Sequence, residues 1–213
     1  MDQKISNHDY LVFTFTAFYF IGYFGLFSKL SEYVPRLLIY IILLLICGAI
    51  FQKNLISGIK GYKKEHFNDA LSIIVVMFII FSLLSLLIKR SASTQLLPNS
   101  SKKDTALLIF TALFFSPITE ELVNRCAIRT ALEIITKNDM AINIFSAVLF
   151  TFLHLYKMET DLIGALFYSL IYFSLGYVCM YQYRKTENII TPISIHFLWN
   201  AFILIGTVLR SIV

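Results

Sequence analysis

Apolar runs broken by short polar segments divide the chain into seven stretches without Asp, Glu, Lys or Arg: 11–28, 37–52, 70–88, 105–119, 140–156, 162–183 and 188–209. An α-helix needs about 20 residues to cross the hydrocarbon core. The pattern therefore predicts an all-α integral membrane protein, a polytopic bundle of about seven transmembrane helices. The second, fourth and fifth runs are short, and such runs span by snorkelling or lie partly in the interface. The fourth is expected to continue as helix past Glu120, through Arg125 toward Leu132, with a kink at Pro117 and an amphipathic surface piece over 125–138.

Nothing between the runs is long enough for a separate soluble domain, so residues 1–213 read as one membrane domain. Segment 89–104 is polar, contains Pro98 and Asn99, and reads as a loop. The apolar runs of 1–104 hold no unusual polar group, whereas those of 105–213 hold all of them. The first part is expected to be scaffold or substrate-entry wall, and the second to carry the chemistry.

Composition agrees with this reading. The chain is 58% hydrophobic with a mean hydropathy of +0.75, against about 45–50% apolar for a soluble domain. Its net charge of +5 comes from basic residues at the ends of runs, as expected beside anionic lipid. The partners this implies are the lipid bilayer and a peptide or membrane-protein substrate, with no nucleic acid. The basic residues barely favour an inside amino terminus. No small-residue cleavage site follows the first run, so it is expected to be a retained helix. Cys47, Cys126 and Cys179 show no paired spacing and read as small packing residues.

Three of the later runs carry polar groups that hydrocarbon disfavours. Glu120 and Glu121 sit side by side at the end of the fourth run, and ionisable groups at bilayer depth are costly. Helix positions four apart share a face, so Glu121 faces Arg125 while Glu120 points elsewhere and is free to accept a proton. Phe150 and His154 are four apart in the fifth run, and His196 and Asn200 are four apart in the last. Pro192 suits the first turn of that helix, with Thr191 as its cap. Taken singly, each group has an ordinary explanation: a charged helix end, a packing histidine, a polar contact between helices. Taken together they are what a hydrolase requires: a base, imidazoles to position water or bind a metal, and an amide for an oxyanion. No His-Glu-x-x-His, Gly-x-Ser-x-Gly or catalytic cysteine pattern is present.

Glu120-Glu121-x-x-x-Arg125, Phe150-x-x-x-His154 and His196-x-x-x-Asn200, in that order on separate apolar helices, resemble the CPBP family of CAAX proteases and bacteriocin-processing enzymes, also called Abi. That family includes the type II CAAX prenyl endopeptidase and the lysostaphin resistance protein A-like proteins. The resemblance implies an intramembrane endopeptidase, working by a glutamate or a metallo mechanism. It implies that Glu120 and His154 activate the attacking water, that His196 and Asn200 stabilise the oxyanion, and that Glu121 and Arg125 support them. Glu120, His154 and His196 would be the ligands if zinc is used, with a lean toward a metal-free mechanism. Small bacterial relatives suggest leader-peptide processing, bacteriocin immunity or a role with surface proteins, in a bacterial plasma membrane. A non-proteolytic immunity or scaffold protein, using the same polar cluster for binding, is the alternative.

Overall fold

The computed structural model describes residues 6–32, 34–88, 102–156 and 158–212. Eight helices follow one another among them: α1 (Asn7–Leu30), α2 (Arg36–Ile50), α3 (Gln52–Gly61), α4 (Lys64–Leu87), α5 (Thr105–Ile135), α6 (Asp139–Leu155), α7 (Leu162–Thr186) and α8 (Ile190–Ile212). No strand forms among the described residues.

Five of these helices are long and apolar enough to cross a membrane, and α2 with α3 makes a sixth if that bent pair is one span. The chain is therefore a multi-pass membrane protein with five to six candidate spans rather than an established seven. Two expected spans account for the difference. The run over 37–52 is broken by a 78° bend between α2 and α3, where Phe51 leaves helical dihedrals and is buried. Helix α6 has only 17 residues, short of the usual crossing length. The fourth run goes the other way and becomes the 31-residue helix α5. The piece over 125–138 is not a surface segment at its start: Arg125, Cys126 and Ala127 are buried, and exposure sets in only at Ile134 and Ile135. The loop expected over 89–104 lies outside the described residues up to 101, and helix has already begun at Lys102.

Local chemistry explains several helix ends. Ser6 and Asp9 form a capping box on α1, and Asn138 and Asp161 cap α6 and α7 through their side-chain oxygens. At α8 the expected cap is corrected. Helix begins at Ile190, and Asn188 Oδ1 accepts from its amide at 2.9 Å, while Asn188 Nδ2 donates to the Gly58 carbonyl on α3. Thr191 is buried inside the first turn, and Pro192 falls in that turn as expected.

Wide strips of Leu, Ile and Val on α2, α4, α6 and α7 are exposed, among them Leu45, Ile79, Val148 and Leu166. In a membrane these strips face lipid. The interior forms two main clusters. One joins α1, α5 and the α7–α8 loop, with Phe15, Phe51, Leu122 and Ile189 among its members. The other joins α4, α7 and α8 through Ile74, Phe81, Phe167 and Trp199. Helices α6 and α7 approach closely at Gly176, where a Cβ would lie 3.1 Å from both Ala147 Cα and Phe150 Cβ. The missing side chain lets α7 press against Phe150, a residue around which the polar groups gather.

Candidate active site

Helix α5 carries the two glutamates and is irregular on both sides of them. A π turn spans Thr111–Phe115, and a longer one spans Leu122–Ile128. Such turns are rare and recur at functional sites. Pro117 accounts for the first. It has no N–H to donate, and the Ser116 amide reaches back to the Thr111 carbonyl instead. The Ala112 carbonyl is then left without its usual helical donor. Asn200 on α8 supplies one, its Nδ2 donating to Ala112 O at 2.8 Å. The expected kink at Pro117 is thus a π turn within one continuous helix, satisfied from a neighbouring one. This is how membrane helices tolerate proline.

Glu121 and Arg125 pair as their spacing predicts. Arg125 Nε donates to Glu121 Oε2 at 2.6 Å, and both side chains have no exposure. Arg125 Nη1 donates to Ser146 Oγ on α6 at 2.7 Å, and the guanidinium lies 5.6 Å from the Phe150 ring centroid. His196, buried on α8, donates from Nδ1 to Glu121 Oε1 at 2.9 Å. One carboxylate and one guanidinium thereby tie α5, α6 and α8 together.

Glu120 points away from this pair. Its Oε2 lies 3.5 Å from His154 Nε2 on α6, is buried, and has no hydrogen-bond partner. The His154 ring is held on three sides. Nδ1 donates to the Phe150 carbonyl at 2.8 Å, the Phe150 ring lies at 4.3 Å, and Tyr172 of α7 stacks at 4.3 Å on it. A carbonyl and an ionised carboxylate only accept, so His154 and His196 both carry their proton on Nδ1. Each neutral ring then presents an unprotonated Nε2. For His196 this bears on the expected oxyanion role, since its Nε2 donates only when the ring is imidazolium.

Glu120 also forms part of the wall of a cavity of about 370 Å³. The other walls come largely from the amino-terminal helices, with Tyr19, Tyr23, Phe27, Arg36 and Tyr40 among the lining residues. A Cβ at Gly22, in the π turn of α1, would overlap the Phe27 ring, so glycine there lets that ring pack against the α1 backbone. Tyr23 bridges the two halves by donating to the Leu153 carbonyl at 2.6 Å.

Of the six residues singled out in the sequence, Glu121, Arg125 and His196 form one buried network, and Glu120 with His154 a second pair beside it. Asn200 is engaged with α5 backbone. The zinc set Glu120, His154 and His196 is not brought together, and no three acidic, histidine or cysteine side chains form a metal-holding group among the described residues. His196 Nδ1 is held by Glu121, which leaves its Nε2 as the one ring nitrogen that could take a metal. Ser146, Tyr23 and Tyr172 belong to the site but were not predicted. Only Ser146, a hydroxyl in an apolar run, left any signal in the sequence.

These features define a class: a multi-pass helical membrane protein with a carboxylate–imidazole pair between its spans. Residues 102–202 match the family model described as type II CAAX prenyl endopeptidase Rce1-like. All six motif residues fall inside the match, which supports a place in the CAAX-protease (CPBP) family. No curated protein and no solved structure matches the chain.

Two variants separate structural from chemical roles. Glu121→Gln leaves Arg125 buried without a countercharge, and breaking such a pair costs about 3–5 kcal/mol. Thermal unfolding in detergent is expected to show that loss, while Glu120→Gln unfolds like wild type. Asn200→Ala is expected to destabilise by about 1–3 kcal/mol, by orphaning the Ala112 carbonyl. In a Pro117→Ala background, where a backbone N–H returns, the same substitution should cost clearly less. A double-mutant cycle on unfolding temperature checks this, and additive losses would remove Asn200 from that role.

Proposed function

We propose that the chain is an intramembrane endopeptidase in which Glu120 and His154 activate the attacking water. The observation that carries this is the convergence of Glu120 Oε2 and His154 Nε2, 3.5 Å apart with no proton donor between them. An ionised carboxylate and a neutral Nε2 are both acceptors. A water placed between them donates one hydrogen to each, which directs its lone pairs outward at a bound carbonyl. As the oxygen attacks, its proton passes to the pair, and the same proton is then available to the leaving amine. His154 is locked in place by Phe150 and Tyr172, so little reorganisation is needed. Low local polarity strengthens each of these interactions.

Glu121, Arg125 and His196 act behind this pair by fixing the phase of α5. The second N–H of Asn200 and an imidazolium form of His196 are the groups assigned to the oxyanion. The match of residues 102–202 to the family model supports peptide hydrolysis in the membrane. Leader-peptide or surface-protein processing in a bacterial plasma membrane is the setting we propose for it.

The test uses purified protein in lipid nanodiscs with a pool of membrane-inserting peptides. Wild type is expected to cut, and Glu120→Gln and His154→Ala to lose at least ~100-fold in turnover, as is typical when a general base is removed. Cleavage should survive exhaustive chelation. Equal turnover by wild type and Glu120→Gln would remove Glu120 as the base. Loss on chelation with recovery on added Zn²⁺ would reassign the two Nε2 atoms to a metal.

A further inference from the structure

The cavity in front of Glu120 has a cation in its wall that the water chemistry does not use. Arg36 opens α2 directly after Pro35. It lines the same cavity as Glu120, together with Tyr23, Ser28 and Tyr40. Its Nε donates to Ser31 Oγ at 3.3 Å. No carboxylate among the described residues pairs with it, although Arg125, Arg129, Arg184 and Lys185 all have acidic partners. Its position is electrostatically poor, since a cation in the first turn of a helix faces the positive end of the helix dipole. An unpaired guanidinium held in that place, on a cavity wall with the proposed base, is set up for an anion from outside the chain.

We infer that Arg36 binds a carboxylate of the substrate, either an acidic side chain or a terminal carboxylate, while the scissile bond lies at Glu120. This rests on the peptidase reading of the Glu120–His154 pair. Charge fixes the direction of binding. Glu120 repels a carboxylate and Arg36 attracts it, so the acidic end of the substrate lies on the Arg36 side. The planar fork of arginine matches a carboxylate with two parallel hydrogen bonds, which lysine does not reproduce. A cavity of about 370 Å³ is within the range of small-ligand pockets. The lining hydroxyls of Tyr23 and Ser28 already donate to the Leu153 and Gly25 carbonyls, so the guanidinium is the group that would hold the carboxylate.

The experiment uses full-length protein in phosphatidylcholine nanodiscs and one peptide pool made in three matched versions: carboxy-terminal amide, free acid, and amide ending in glutamate. Cleavage is followed as kcat/KM. Equilibrium binding is followed separately on protein carrying Glu120→Gln, which prevents turnover. We expect at least one acidic version to be preferred over the neutral amide by about tenfold, the scale of one charge-assisted contact on a partly exposed rim. Arg36→Gln should abolish that preference, and Arg36→Lys should restore it only in part. Preference for the free acid alone assigns a terminal carboxylate, and preference for the glutamate version alone assigns a side chain. A uniform loss across all three versions, appearing only with anionic lipid, would make Arg36 a lipid-headgroup anchor and overturn the inference. Absence of any acid preference would do the same. Preference in binding without cleavage of any peptide would sink the peptidase reading and uphold Arg36, whereas cleavage without preference would do the reverse.

Discussion

A single buried ion pair organises the carboxy-terminal half of this chain. Glu121 and Arg125 have no exposure and sit one helical turn apart in a membrane helix. Neither tolerates that depth without the other. Their remaining hydrogen-bonding capacity is met from two other helices, by Ser146 and His196. The pair therefore fixes the rotation of α5 against α6 and α8. Rotation is what matters for Glu120: adjacent helix residues point about 100° apart, so burying Glu121 inward turns Glu120 toward His154 and the cavity. The glutamate that is paired and buried determines where its neighbour points.

The backbone around this pair is as irregular as its side chains are ordered. Two π turns flank the glutamates, and a proline removes one amide. Irregular backbone in a membrane persists only when its polar groups are met within the protein. Asn200 meets one of them from α8, and Asn124 Nδ2 meets the Glu120 carbonyl at 2.8 Å. Polar side chains on this stripe thus serve two ends. They hold the unusual geometry of α5, and they lie within a few ångströms of the groups that geometry aims.

The residues whose partners lie four positions away in the same helix were legible in the sequence. The Glu121–Arg125 pair and the contact of the Phe150 ring with His154 follow from helical spacing alone. Partners from other helices were not, because nothing local marks them. Tyr23 and Tyr172 are ordinary aromatics in apolar runs until folding brings them to Leu153 O and the His154 ring. The same limit applies to the spans. Charge-free runs located every helix but α3, whose Lys53 and Lys60 put it outside them, and α5 runs past its charges as expected because Glu121 and Arg125 neutralise one another inside the protein. The bend at Phe51 was invisible because no proline or charge announces it. The pattern also made the amino-terminal helices look like a wall, and they do form most of the wall facing Glu120.

The two histidines show how second partners set chemistry that residue identity leaves open. Both are four residues from a motif partner and both carry their proton on Nδ1. His154 gives that proton to a neutral carbonyl and His196 to a carboxylate. The carbonyl behind His154 and the carboxylate behind His196 each hold the Nδ1 proton, so Nε2 is the free acceptor of either neutral ring. In the proposed reaction His154 Nε2 serves as that acceptor beside Glu120, whereas His196 reaches an oxyanion only with a second proton on Nε2. Which nitrogen of each ring is left free is set by what stands behind it, not by the ring itself.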